Sequence, residues 1–132
     1  MVRLPDTVTF DQGAVVPHNY LTALHALRDR AAIRAGETLL VFGAAGGVGL
    51  AVIQVGRTLG AHVIAVGSTP EKRAIAVAHG AEVAIDTVIE GWRERLKAVL
   101  RGRPLGGAVK ANGPSWRGAV DWRHEPSIET KV

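Results

Sequence analysis

A run of glycines between two apolar segments constrains the fold of this chain more than any other feature. The run lies in residues 41–49, Val-Phe-Gly-Ala-Ala-Gly-Gly-Val-Gly, between the apolar segments 38–42 and 47–59. Clustered glycines permit the tight backbone turn that leads from a buried strand into a helix packed closely against it. The pattern therefore predicts a strand, a turn and a helix, in that order.

The same region raises the alternative of a membrane-spanning helix. Residues 38–56 carry no charge, and their number is close to the length that crosses a bilayer. The glycines, however, cluster where the strand would turn into the helix. A buried strand–turn–helix has the same hydropathy, because a parallel α/β fold covers both elements on all sides. We favour the buried interpretation and expect no membrane partner.

Two later segments repeat this alternation of helix and strand. Apolar runs at residues 62–66 and 83–85 predict buried strands, and each follows a helix-ending glycine, Gly60 or Gly80. Consecutive units of this kind predict an α/β fold with parallel strands and right-handed crossovers. We expect a partial, Rossmann-like, doubly wound parallel sheet of about three strands with flanking helices.

The helices beside these strands have recognisable starts and faces. Thr-Pro-Glu at residues 69–71 predicts a helix N-terminus, because a threonine cap, a first-turn proline and an acidic residue all favour that position. A further helix is expected over residues 90–100, with Trp92 and Leu96 inward. Its outward residues are Arg93, Arg95 and Lys97.

The two ends of the chain are expected to be less regular. A helix is expected after Pro17, with Asn19 as its cap, Leu21 on its apolar face and its end near Gly36. Residues 106–111 make a poor strand, because they are few, small and followed by Asn-Gly-Pro. The expected organisation is a linker with a leading helix at 1–36, a partial Rossmann domain at 37–100 and an irregular tail at 101–132.

The glycine turn also predicts a binding site. Ala44, Gly46 and Gly49 form the pattern Ala-x-Gly-x-x-Gly, a variant of the dinucleotide-binding fingerprint. The first small residue permits the turn, Gly46 lets a pyrophosphate approach the backbone, and Gly49 lets the helix lie close to the strand. Backbone amides at the start of the helix bind such an anion. The pattern therefore predicts that the turn holds a dinucleotide.

The end of the second strand bears on which dinucleotide is bound. NAD sites usually carry an acidic residue there for the ribose 2′-hydroxyl, but this strand ends Val-Gly-Ser-Thr at residues 66–69. Lys72 and Arg73 follow, and hydroxyls with cations suit a 2′-phosphate. NADP(H) is therefore favoured over NAD(H). The alternative, that both cations are ordinary solvated helix residues, stays equally open.

Other kinds of chemistry find little support. Cysteine is absent, so disulfides, thiol nucleophiles and cysteine zinc sites are excluded. The five histidines show no close ligand spacing, so no metal site is expected. No serine lies in a nucleophile-elbow sequence, so a serine nucleophile is not indicated either. No targeting segment is evident, and we expect a cytoplasmic location.

An ordered series of motifs over residues 4–100 resembles the quinone oxidoreductase branch of the medium-chain dehydrogenase/reductase superfamily. The motifs are residues 4–10, Pro-His-Asn-Tyr-Leu-Thr-Ala at 17–23, Gly-Glu-Thr at 36–38, residues 43–50 and Gly-Ala-His-Val-Ile at 60–64. The resemblance implies an NADPH-dependent reductase. Such an enzyme transfers a hydride, without zinc, to a quinone, an enal or a similar small-molecule acceptor.

The resemblance also implies which residues hold the cofactor. Thr22 is expected near the nicotinamide, and the glycine turn at the pyrophosphate. The predicted cofactor-binding residues are Thr22, Ala45, Gly46, Gly47, Val48, Gly49, Ser68, Thr69 and Lys72, the last three at the 2′-phosphate. A tyrosine common in some relatives is Thr87 here. Because this type of hydride transfer relies on positioning the nicotinamide, no catalytic residue is predicted.

The chain departs from the resemblance at both ends. Relatives begin with a β-rich substrate domain, and after Leu100 this chain does not follow their fourth strand. A shift to Gly, Arg, Pro and Trp suggests the hypothesis that residues 101–132 are an out-of-frame translation. We therefore expect a truncated cofactor-binding portion that is weak or inactive alone. Without a fourth strand the cleft would lose its far wall, and an unpaired edge at residues 38–42 would favour a homodimer.

Two other functions stay open. One is a non-catalytic module that binds a dinucleotide or serves as an interaction subunit. The other is a nucleic-acid binder that uses residues 91–132, which hold 9 of the 16 basic side chains and 4 of the 12 acidic ones. A solvated helix face explains the basic residues more simply, so a nucleic-acid partner is not expected.

Overall fold

The computed structural model describes residues 6–100, 102–103, 105–111 and 120–121. Its helices are α1 Phe10–His25, α2 Gly47–Thr58, α3 Pro70–Ala78 and α4 Trp92–Leu100. Its strands are β1 Thr38–Phe42, β2 His62–Gly67, β3 Val83–Asp86, β4 Leu105–Lys110 and β5 Val120–Asp121. In the part of the chain so described, no helix is both long and apolar enough to cross a bilayer.

The strands form one sheet in the order β3-β2-β1-β4-β5. β1 pairs in parallel with β2 and with β4, β2 pairs in parallel with β3, and β5 runs antiparallel to β4. At the centre of the sheet, Leu40 lies opposite Ile64 on one side and Ala108 on the other. The reversal of strand order beside β1 is typical of a doubly wound fold, and the predicted α/β class is confirmed.

Both faces of the sheet are covered, which explains why β1 carries no charge and is apolar after Thr38. Successive side chains of a strand point to opposite faces, so Leu39 and Val41 pack in one cluster and Leu40 packs in the other. Val52 of α2 belongs to the first cluster and Leu96 of α4 to the second. Burial from both sides is the reason that a charge-free strand occurs here without a membrane.

The expectation that residues 106–111 form no strand is wrong. β4 occupies most of this segment, pairs with every residue of β1, and continues into a hydrogen bond from the Ala111 amide to the Phe42 carbonyl, 2.8 Å long. Small residues suit it, because a Cβ at Gly106 would overlap the Glu37 side chain. The pairing itself is made by backbone groups. The β1 edge is therefore paired, and the predicted dimer through an open edge loses its basis.

The first helix also differs from expectation. α1 begins at Phe10 and contains Pro17, so Asn19 lies inside the helix and is not its cap. A proline inside a helix removes one backbone hydrogen bond. Packing of the second half of α1, where Ala23 is fully buried, offsets that loss. Leu21, expected on the apolar face, is instead 65% exposed.

The ends of the helices follow the glycine pattern only in part. α1 ends at His25 and continues as a π-helical turn, Ala26–Arg30, so the expected end near Gly36 is wrong. Gly60 and Gly80 do end α2 and α3 in the left-handed region, with φ of +84° and +119°. These two positions confirm the prediction that a glycine ends each helix before the next strand.

The helices α3 and α4 have the predicted start and faces. Thr69 is the N-cap of α3, where its hydroxyl accepts a hydrogen bond of 3.3 Å from the Lys72 amide. Leu96 and Leu100 of α4 are buried, and Arg95 is exposed. The amphipathic spacing of α4 therefore positions it correctly against the second cluster.

Thr38 supplies a stability prediction, because its buried hydroxyl lacks a partner. The residue is 1% exposed, and no described residue forms a hydrogen bond with Oγ1. Valine has nearly the same shape without the hydroxyl, so Thr38→Val is expected to raise the free energy of unfolding by about 1 kcal/mol. Urea unfolding followed by circular dichroism measures this change.

Thr58 provides the matched control for Thr38. Its hydroxyl donates to the Gln54 carbonyl at 3.0 Å on an exposed part of α2. Thr58→Val is expected to change stability by no more than about 0.5 kcal/mol. A loss of stability in Thr38→Val would contradict the unpartnered hydroxyl.

Candidate functional site

The turn between β1 and α2 leads directly into the first backbone amides of α2. Gly43 has φ of +69°, and the Gly46 amide donates to the Gly43 carbonyl at 3.3 Å. Gly46 is the N-cap of α2, and no side chain caps the helix there. The first amides of a helix have no partner within the helix, and together with its dipole they favour an anion.

Gly49 holds α2 close to the turn. A Cβ at this position would overlap the Gly43 carbonyl oxygen and lie 2.8 Å from the Ala44 Cα. Both neighbours are backbone atoms of the turn, so they cannot move aside without changing its shape. This is the close helix–strand approach that the fingerprint predicts for its last glycine.

Gly46 has a different environment from Gly49. The nearest atom to a Cβ at Gly46 is the Gly43 carbonyl oxygen, 3.7 Å away, and the residue is exposed. Its φ of −81° and ψ of 167° are extended backbone that any residue adopts. Neither space nor conformation within the chain therefore requires glycine. A group from outside the chain that approaches this backbone would require it.

A cavity of about 480 Å³ lies over this turn, at the carboxyl ends of the parallel strands. Residues from the ends of β1 and β2 line it, with Thr87 after β3 and Ala111 after β4. Ligands of open α/β sheets bind at this edge, beside the reversal of strand order. Because Ala111 follows β4, the far wall of the cleft is present, and the expectation that it is lost is wrong.

The structure brings some of the predicted cofactor residues into this cleft and leaves others outside it. Four of the nine line the cavity, namely Ala45, Gly46, Ser68 and Lys72. Gly47, Val48 and Gly49 lie in the first turn of α2, and Thr69 caps α3. Thr22 is not among the cavity-lining residues, and its hydroxyl donates to the His18 carbonyl at 2.7 Å.

α1 reaches the turn through a residue that sequence analysis assigned to another role. A Cβ at Gly47 would lie 2.8 Å from Nδ2 of Asn19. The Asn19 amide therefore lies beside the first residue of α2, which is itself exposed. Asn19 lies three residues from Thr22, so the helix that carries both is adjacent to the N-terminal end of α2.

One end of the cleft carries positive charge. The charged residues that line the cavity are Lys72 and Arg73, and no acidic residue is among the described residues that line it. Ser68 and Lys72 are exposed, whereas the Thr69 hydroxyl is used to cap α3. The arrangement offers a hydroxyl and a cation to a phosphate group.

Arg73 has a role that sequence analysis missed. Its Nη1 forms an ion pair of 3.0 Å with Asp86 Oδ2 and donates to the Gly67 carbonyl at 3.2 Å. The alternative in which both cations are solvated is therefore wrong for Arg73. The predicted parallel strand order is the signal that could have revealed this ion pair. In such a sheet, an acidic residue that ends one strand lies beside the helix that follows the neighbouring strand.

The described residues do not fit a structural or catalytic zinc site. Among them, no group of three histidine, aspartate or glutamate side chains lies close enough together to hold a metal ion. The whole sequence also lacks cysteine. Zinc in proteins takes at least three such ligands.

A family model described as zinc-binding dehydrogenase matches residues 47–119, more than half of the chain. The match extends past Leu100 through β4, into the part of the sequence that we expected to leave the family pattern. The hypothesis of an out-of-frame translation has no test here and stays a prediction.

Curated relatives are similar over slightly less than half of the chain. The chain is 48% identical over 58 residues to human quinone oxidoreductase, a segment covering 44% of this chain and 18% of that protein. It is 53% identical over 60 residues to the pikromycin polyketide synthase component PikAII of Streptomyces venezuelae, covering 46% of this chain and 2% of that protein.

A solved structure agrees with the fold. Escherichia coli quinone oxidoreductase complexed with NADPH superposes with a TM-score of 0.68 at 36% identity, over 76% of this chain and 31% of that chain. The matched regions therefore span less than a third of each of these relatives.

Proposed function

Because the chain belongs to the zinc-binding dehydrogenase family, among its quinone oxidoreductase-like medium-chain members, we propose that its cleft binds NADP(H). In this proposal the chain supplies the cofactor-binding part of an NADPH-dependent oxidoreductase. The name of the E. coli neighbour states that it is complexed with NADPH, which supports the choice of cofactor.

The observation that carries the proposal is the contrast between two glycines of one turn. Gly49 is enclosed by backbone atoms, as close helix packing requires, while Gly46 is open and faces the cleft. A merely structural turn explains the first glycine. A close external ligand accounts for the second, because a Cβ there would project into the space that a pyrophosphate needs.

Each part of the cofactor has candidate partners on this chain. The amides at the start of α2 suit the pyrophosphate, and Ser68 with Lys72 suits the 2′-phosphate. Thr22 is assigned to the nicotinamide side by resemblance. When bound, a reduced nicotinamide would supply the hydride, and this chain would bind and orient the cofactor.

The acceptor is proposed as a small molecule with a reducible carbonyl or conjugated double bond. Relatives named quinone oxidoreductase and a solved structure named CurK enoyl reductase support a quinone or an enal-like compound. Weak activity of the chain alone stays a prediction, although the cleft is more complete than expected. A cytoplasmic location likewise stays an expectation.

Titration of the 132-residue chain with NADPH and with NADH tests the proposal. Binding of NADPH with at least slow turnover on a quinone would support the oxidoreductase, and binding with no detectable turnover would favour the non-catalytic module. Failure to bind either nucleotide would overturn the proposal. The alternative of a nucleic-acid binder uses the basic residues of 91–132. One of them, Arg103, lies 3.4 Å from Glu82, so this cation is already paired with a carboxylate.

Lys72 supplies a prediction on nucleotide choice. Lys72→Met is expected to weaken NADPH binding about tenfold and to change NADH binding by less than about twofold, because only NADPH carries the 2′-phosphate. Fluorescence titration of both nucleotides at two salt concentrations measures the change. The difference between nucleotides should shrink as salt screens the exposed charge.

Arg95→Met is the matched control for Lys72→Met. Arg95 is an exposed cation on α4, and it does not line the cleft. Its loss changes the net charge equally and is expected to leave both affinities unchanged. Equal weakening of NADPH and NADH in Lys72→Met would contradict a contact with the 2′-phosphate.

A further inference from the structure

Arg73 connects the ends of two neighbouring strands. It lies in the first turns of α3, and its Nη1 is 3.2 Å from the carbonyl of Gly67, the last residue of β2. The same nitrogen is 3.0 Å from Oδ2 of Asp86, the last residue of β3. One guanidinium therefore ties together the carboxyl ends of both strands at the edge of the cleft.

The ion pair is held in a partly buried place. The Arg73 and Asp86 side chains are 21% and 15% exposed, and the other carboxylate oxygen of Asp86 accepts a hydrogen bond of 2.9 Å from the Val88 amide. A Cβ at Gly67 would lie only 3.2 Å from the Arg73 Cγ. The absence of a side chain at Gly67 therefore admits the stem of Arg73 to this position.

The pair controls the charge at one end of the cleft. Arg73 itself lines the cavity, and Asp86 directly precedes Thr87, which also lines it. With the pair formed, the charge of Asp86 is compensated and Lys72 remains to attract an anion. Without Arg73, an unpaired carboxylate would lie beside the region assigned to the 2′-phosphate and repel it.

We propose that Arg73 determines the preference for NADPH over NADH by acting through Asp86. Its guanidinium neutralises the carboxylate that would otherwise favour a ribose hydroxyl over a phosphate. Arg73 is thus a positioning residue, and Lys72 is the residue that contacts the phosphate. This inference rests on the proposed function, because it assumes that the cleft holds a nicotinamide dinucleotide.

Three variants of the full chain test the inference through the ratio of NADPH affinity to NADH affinity. Arg73→Met is expected to lower this ratio about tenfold, because it leaves Asp86 unpaired. Asp86→Asn is expected to keep or raise the ratio, because it frees the Arg73 charge. The double variant is expected to return the ratio to within about threefold of the unmodified chain.

The ratio separates this role from two others. A merely structural tie would weaken both nucleotides equally in Arg73→Met and leave the ratio unchanged. Direct contact of Arg73 with the phosphate would lower the ratio in the double variant as much as in Arg73→Met. Either result would overturn the inference. Arg95→Met serves again as the charge-matched control, with no expected change in the ratio.

The folding of each variant and the nucleotide binding of the unmodified chain are also measured. If Arg73→Met fails to fold, as judged by circular dichroism, the Asp86→Asn ratio decides, and a fall in that ratio overturns the inference. Absence of any nucleotide binding by the unmodified chain would overturn the proposed function, and this inference with it. Binding of both nucleotides with an unaltered ratio in Arg73→Met would overturn the inference alone.

Discussion

Replacement of Gly49 by alanine is expected to lower the free energy of unfolding by about 3 kcal/mol and to abolish nucleotide binding. The added methyl group would overlap the Gly43 carbonyl oxygen and approach the Ala44 Cα to 2.8 Å. Because these are backbone atoms of the turn, relief requires α2 to move away from β1. Urea unfolding and NADPH titration measure the two effects.

Gly36→Ala is the matched control for Gly49→Ala. Gly36 has φ of +86°, but in the part of the chain that the structure describes no atom beyond its two neighbouring residues lies within 4 Å of a Cβ built there. The substitution is expected to cost only about 1 to 2 kcal/mol, the strain of a left-handed alanine, and to leave nucleotide affinity unchanged. Unaltered stability of Gly49→Ala would contradict the close approach of α2 to the turn.

Gly46→Ala is expected to reduce NADPH affinity about a hundredfold while leaving the fold intact. Among the described residues other than its two chain neighbours, the methyl group meets no atom closer than 3.7 Å, and the backbone conformation is open to alanine. Its position at the mouth of the cleft would keep a pyrophosphate away from the α2 amides, which act only at hydrogen-bond distance. Titration with NADPH and with NADH measures the loss.

The two nucleotides should lose affinity equally in Gly46→Ala, since both carry the pyrophosphate. This separates the variant from Lys72→Met, which is expected to affect NADPH alone. Stability should fall by no more than about 1 kcal/mol, because alanine is a poorer N-cap than glycine. Unchanged affinity for both nucleotides would contradict a ligand at this turn.

The contrast between β1 and β4 explains where sequence reasoning succeeded and where it failed. β1 can be recognised from its own residues, since a strand buried on both faces carries no charge and is apolar along most of its length. β4 is rich in glycine and alanine, and its pairing with β1 comes from backbone groups that composition does not reveal. The space beside Glu37 even requires a residue without a side chain at Gly106.

The predicted start of α1 was wrong for a related reason. Local propensity predicts a helix that starts after Pro17, because proline disfavours helix interiors. The observed helix starts at Phe10 and is stabilised by packing that includes the fully buried Ala23. Contacts distant along the chain outweighed a local preference, as is common for helices that bury one face.

The glycine turn and the helix start that follows it could be predicted from the printed residues alone, because their geometry depends on neighbours a few positions apart. The pairing of Arg73 with Asp86 could not, since it depends on β2 and β3 lying side by side. The same holds for the cleft, whose walls come from the ends of separate strands. Short-range backbone chemistry is written in consecutive residues, whereas charge compensation and cavity shape arise only when the sheet brings distant residues together.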